Sequence, residues 1–232
     1  MDARHRLLSL LALAGTLAFL ACLLALHILT ITRVPPQHMS DYARTRYGPL
    51  FVAGAYAFLL AVISAMLCLR RTLPPGKSST AGVGLLLLGV PFGFMVATFP
   101  VDPTGVDTVA GEIHQWSVMP LFFFVTAAML VLVPGLRAHP RWRPLSNFTL
   151  AMGLLAALAQ TAYLLSELYD RPLVGVSQRL IVLAILSWFL AVAVVLRRWP
   201  MEIASGAPPA EAPATTEPIP TPAALPSETK QD

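Results

Sequence analysis

The sequence predicts an all-α fold, a polytopic membrane protein organised as a six-transmembrane-helix bundle. Three observations predict it. The 232 residues are 56% hydrophobic and only 12% charged, with a mean hydropathy of +0.68, whereas soluble domains carry about 25% charged residues. Six apolar runs, at about 7–31, 49–69, 81–99, 116–133, 146–165 and 176–196, match the roughly 20 helical residues that cross a hydrocarbon core of about 30 Å. The arginines and lysines stand at the ends of these runs instead of clustering on one soluble face. That excludes the nucleic-acid partner that a net charge of +4 would otherwise suggest. Because lipid cannot satisfy backbone polar groups, each run is expected to be a helix; transmembrane strands would be about half as long and alternate in polarity.

The first run follows a basic start, Arg4 and Arg6, and looks at first like a secretion signal. Its apolar stretch exceeds the roughly 7–15 residues of a cleavable core, and Phe19-Leu20-Ala21 before Cys22 is a poor lipoprotein cleavage box, so an uncleaved first span is expected. Cys22 and Cys68 fall at different depths of different runs, too far apart to pair, and read as small buried hydrophobes. The third run carries Gly89 and Gly93 one turn apart, with Pro91 between them. That spacing predicts a packing helix, with a hinge or a lipid cleft as the alternative. The fifth contains Gln160, expected to hydrogen-bond to a neighbouring helix.

Orientation follows from the basic residues. Arg4, Arg6, Arg70, Arg71, Lys77, Arg137, Arg141, Arg143, Arg197, Arg198 and Lys230 fall on one side, and Arg33, Arg44, Arg46, Arg171 and Arg179 on the other. The excess places both termini in the cytoplasm of a bacterial-type plasma membrane. The 101–115 loop has no Lys or Arg but carries Asp102, Asp107 and Glu112, as suits an outward loop. Residues 1–198 are therefore read as the transmembrane domain. Residues 199–232, rich in Pro, Ala, Thr and Glu, are read as a disordered cytoplasmic tail.

No Asp, Glu, Lys or Arg falls near a helix midpoint, which disfavours proton pumps and ion channels. Polarity is gathered in three outer loops: His38-Met39-Ser40-Asp41-Tyr42-Ala43-Arg44, then Phe99-Pro100-Val101-Asp102-Pro103 leading to Gly111-Glu112-Ile113-His114, and finally Glu167, Tyr169, Asp170, Arg171 and Arg179. Pro100 and Pro103 stiffen the turn that bears Asp102. Asp107 or Thr108 is positioned to cap a short helix leading into span four, which would set Glu112 and His114 on different faces. His114 is positioned to meet Asp102 or Asp41. An imidazole oriented by a carboxylate serves a structural latch, a ligand site, a metal site or a general base.

The Ser-Asp-Tyr segment after the first span, the Phe-Pro-x-Asp-Pro turn after the third and the Gly-x-x-His sequence before the fourth resemble the membrane family known as domain of unknown function 998. The resemblance covers about 7–196. It implies a multi-helix membrane fold, distantly similar to the Frag1/DRAM/Sfk1 membrane proteins, and no activity. For sites it implies only Asp41, Tyr42, Asp102 and His114. At Val101 the chain departs from a pattern that has Thr there, so the turn carries no hydroxyl at that position.

These residues support three functional expectations. The first is a non-enzymatic protein whose outer loops, through Asp41, Tyr42, Arg44, Asp102, Asp107, Glu112 and His114, form a latch or engage a lipid headgroup or a membrane protein partner. The second is an outer-leaflet hydrolase or transferase using Asp102 and His114 with Asp41. The third is an uncoupled transporter of a small lipophilic molecule, which needs a cavity beside Gly89 and Pro91. A metal site would have to draw on His38, His114, Asp102 and Asp41, which show no metal-binding spacing. No cofactor is expected. Arg44 and Arg46 are expected to neutralise the acidic loops or hold lipid phosphate, and Tyr42, Tyr47, Trp116 and Tyr169 to anchor the membrane interfaces.

Overall fold

The computed structural model describes residues 3–30, 38–103, 105–169 and 173–204. Six helices account for most of them: α1 (Ala3–Thr30), α2 (Gly48–Thr72), α3 (Lys77–Thr98), α4 (Val109–Arg137), α5 (Arg143–Leu168) and α6 (Val174–Ala204). A short 3-10 helix, η1 (Met39–Arg44), lies between α1 and α2. All six long helices are long and apolar enough to cross a membrane, as the hydropathy runs require. They extend beyond those runs at most ends. α4 starts at Val109 without a break, so the expected short helix before span four is instead the first turns of that span. α6 continues to Ala204, into the segment read as tail. Residues 205–232, Asp170 and Arg171 lie outside the described residues.

The boundaries have local causes. Pro49 and Pro144 sit in the first turns of α2 and α5, where the missing N–H costs no helical bond. Pro74 and Pro75 follow the end of α2 and prevent its continuation. Within the spans, hydroxyls return their hydrogen to the preceding turn, as Thr16 does to the Ala12 carbonyl (2.7 Å) and Thr30 to the Leu26 carbonyl (2.7 Å). These polar side chains are thus satisfied where lipid offers no partner.

Consecutive helices pack against one another, and α1 also packs against α6, so the six form a ring in chain order. Glycines permit the closest approaches. A Cβ at Gly54 would meet the Cys22 Cβ at 2.9 Å, and one at Gly15 would collide with the Ala57 carbonyl of α2. Gln160 on α5 donates to the Phe122 carbonyl of α4 (3.2 Å) and to the Thr126 hydroxyl, as expected from the sequence. The two cysteines are both free.

The ring is filled unevenly. Toward the end that bears the start of α1 and the α4–α5 connection, Leu69, Leu132, Leu136, Trp142, Trp188 and Leu196 are fully buried in one continuous core. Toward the end that bears η1 and the α3–α4 connection, the centre is hollow.

Candidate functional site

The hollow is a cavity of about 130 Å³ lined by α1, η1, α2, α3, α4 and α6. Its walls include Phe58, Gly89, Val118, Phe122 and Phe189, and its polar lining residues are Ser40, His114 and Gln178. None of the lining residues is charged. Part of the space comes from missing side chains on α3. A Cβ at Gly89 would find its nearest neighbours at 3.6 and 3.7 Å, which is ordinary contact, so this glycine does not mediate a tight helix crossing. The close approach on α3 occurs at Gly82, against Leu132. The two glycines differ: Gly89 fits the wall of an opening, whereas a Cβ at Gly93 would press on Leu59 at 3.3 Å, as at a packed helix crossing. Pro91 lies within α3 but is exposed and does not line the cavity.

η1 covers one end of the cavity, with Met39 and Ser40 among the lining residues. Four contacts hold it. The Asp41 carboxylate accepts from the His38 N–H (2.9 Å). The Met39 N–H donates to Gln178 Oε1 of α6 (2.6 Å). His38 Nε2 lies 3.0 Å from Glu167 Oε1 of α5. The Tyr42 hydroxyl lies 3.2 Å from His27 Nδ1 of α1. Arg44 reaches the other Asp41 oxygen at 3.5 Å, so it neutralises that carboxylate as expected. Arg46 stacks over the Tyr47 ring, 4.6 Å from its centroid. Tyr42 corrects an expectation. Only 2% exposed, it is a core residue and not an interfacial anchor, because η1 turns it inward among Phe19, Leu23, Phe51 and Leu186. Trp116 and Tyr169 are exposed.

The α3–α4 connection forms a second polar unit. Thr108 is the N-cap of α4, its hydroxyl accepting from the Gly111 N–H (3.1 Å). The Asp102 carboxylate accepts from both the Thr108 N–H and its hydroxyl, each at 2.7 Å. The acid thus adds negative charge at a helix start, where the dipole favours it. One turn later, His114 Nδ1 lies 2.8 Å from the Phe99 carbonyl at the end of α3. Together these contacts tie α3 to α4 through the Phe-Pro-x-Asp-Pro turn and the Gly-x-x-His sequence.

The expected partnership of His114 with Asp102 or Asp41 is not formed: among the described residues His114 bonds a backbone carbonyl, Asp102 bonds Thr108, and Asp41 bonds η1. Glu112 is exposed while His114 is 3% exposed, as their separation around the helix requires. Asp107 is also exposed. Among the described residues no three His, Cys, Asp or Glu side chains are placed to hold a metal ion together, because His38 caps η1 and Asp41 lies within it while Asp102 and His114 serve the other unit.

A family model described as "Protein of unknown function (DUF998)" matches residues 12–195, spanning the helical bundle and both polar units. The chain belongs to this family. No curated protein and no solved structure matches it. In this family member, sequence reasoning missed Gln178, which binds η1 and lines the cavity. The available signal was a buried-type amide in the first turns of an otherwise apolar span.

Proposed function

We propose that this family member is a non-enzymatic membrane protein that holds a lipophilic molecule in the cavity beneath η1, in the outer half of the bilayer. The cavity itself carries the proposal: an uncharged hollow of about 130 Å³ in an otherwise close-packed bundle costs dispersion contacts and stability unless something occupies it. An engineered apolar cavity of about 150 Å³ takes up benzene, so this one suits a chain segment or ring of about that size. The outward placement of the η1 end rests on the distribution of arginines and lysines.

This reading fits the loops better than direct headgroup capture does, since Asp41, Asp102 and His38 already bond within the protein. Hydrolysis by the expected residues is disfavoured because His114 makes no hydrogen bond to Asp102 or Asp41: it faces the Phe99 carbonyl, while the two acids bond Thr108 and the His38 N–H. Passage across the bundle is disfavoured by the solid core around Leu132 and Trp188. The test is extraction and mass spectrometry of small molecules co-purifying with the full chain and with Gly89→Leu, whose added side chain would enter the cavity. A lipophile retained by the native chain and lost from Gly89→Leu is the expected result. Identical extracts, or none in either, would refute the proposal.

A further inference from the structure

Among the described residues, one buried polar atom that faces the cavity lacks a partner. His114 is 3% exposed and lines the cavity, and its Nε2 has no hydrogen-bond partner among the described residues. Buried polar atoms are nearly always satisfied, and each exception calls for an account. The chemistry of this one is set by the other ring nitrogen. Nδ1 faces the Phe99 carbonyl at 2.8 Å, and a carbonyl can only accept, so Nδ1 carries the hydrogen. A neutral imidazole has one donor and one acceptor nitrogen, which leaves Nε2 as a bare acceptor. Whatever satisfies it must donate.

Gln178 and Ser40 line the same cavity. Gln178 Oε1 accepts from the Met39 N–H, and the side chain still offers its amide N–H groups, with one oxygen lone pair besides. The smallest uncharged group that donates to His114 and also accepts from an amide is a hydroxyl; a carboxamide does both but sets a second polar heavy atom among lining residues that are apolar apart from Ser40, His114 and Gln178. A carboxylate or phosphate would bring buried charge against an acceptor nitrogen. An ammonium would find no carboxylate among the lining residues, and buried charge without a partner is disfavoured.

We infer that the cavity's ligand is an uncharged lipophilic alcohol, its hydroxyl donating to His114 Nε2 and its hydrocarbon part lying among Phe58, Val118, Phe122 and Phe189. This rests on the cavity reading proposed above and adds the ligand's polar group.

The experiment compares 1-hexanol with its isomer methyl pentyl ether, which is of similar size and apolar character but cannot donate. The full chain, labelled with ¹⁵N-histidine in phosphatidylcholine nanodiscs, is titrated with each, concentrations being corrected for uptake by empty nanodiscs. Affinity is read from thermal stabilisation, and hydrogen bonding from the His114 Nε2 resonance. The alcohol should bind about tenfold more tightly than the ether, as expected for one buried hydrogen bond, and should alone shift Nε2. His114→Phe should bind both equally. Equal binding by the native chain with no Nε2 shift, or a preference that survives in His114→Phe, would overturn the inference while leaving the cavity occupied. Binding of neither compound would overturn both this inference and the cavity reading. If His114→Phe does not fold, the native resonance decides alone.

Discussion

The Asp102 carboxylate lies so close over Gly111 that a Cβ there would collide with both of its oxygens and its carboxyl carbon. The cap on α4 therefore requires glycine at this point. Gly111→Ala should destabilise the protein by about 1–3 kcal/mol through overpacking and displacement of the acid. Gly89→Ala, whose Cβ meets only ordinary contacts, should be neutral or stabilising by up to about 1 kcal/mol, since alanine is the better helix former. Reversible unfolding in mixed micelles measures both. Equal effects would mean that Asp102 does not occupy the position described.

Gln178 accepts from the buried N–H of Met39, and Gln178→Leu would leave that donor unsatisfied at a cost of about 1–3 kcal/mol. Because the bond secures η1 and not the helical core, the loss should be local. Amide exchange across Met39–Arg44 should accelerate while exchange in the middle of α4 stays unchanged. Uniform acceleration would show that η1 and the bundle open as one unit.

Tyr42 places a buried ring in the core and a hydroxyl on His27. Tyr42→Phe should cost about 0.5–1.5 kcal/mol, and Tyr42→Ala about 3–5 kcal/mol, the range for removing a buried aromatic. If both variants retain native melting temperatures, Tyr42 is an interfacial residue after all.

The six helices were legible in the sequence because the bilayer imposes a length and a polarity on anything that spans it. The Thr108 cap and the opposed faces of Glu112 and His114 were legible for the same kind of reason: helical geometry is local. The partner of His114 was not. A backbone carbonyl exists at every residue, so no side-chain pattern marks Phe99 as the acceptor, whereas Asp41 and Asp102 stand out as charges and drew the expectation toward themselves. The cavity was equally hidden, since apolar residues that fill a bundle and those that line a hollow have the same composition. Gly89 and Gly93 signalled only that something unusual happens on α3. Tyr42 was misjudged because 3-10 geometry in a short connection turns an aromatic inward without any periodicity to announce it.

The proposed orientation makes its own prediction. In a chain with Cys22 and Cys68 replaced by alanine, a cysteine at the exposed position Val106 should react with an impermeant maleimide on intact cells. One at exposed Pro140, in the α4–α5 connection, should react only after lysis. The reverse pattern would place the η1 end in the cytoplasm and contradict the charge-based topology.

The occupied cavity is tested most directly by anomalous diffraction from crystals of the native chain soaked with a bromine-tagged straight-chain alcohol. A bromine peak enclosed by Phe58, Gly89, Val118 and Phe189 is predicted, and it should be absent from Gly89→Leu crystals. Bromine found only on the lipid-facing exterior, with the hollow empty or closed, would contradict the account.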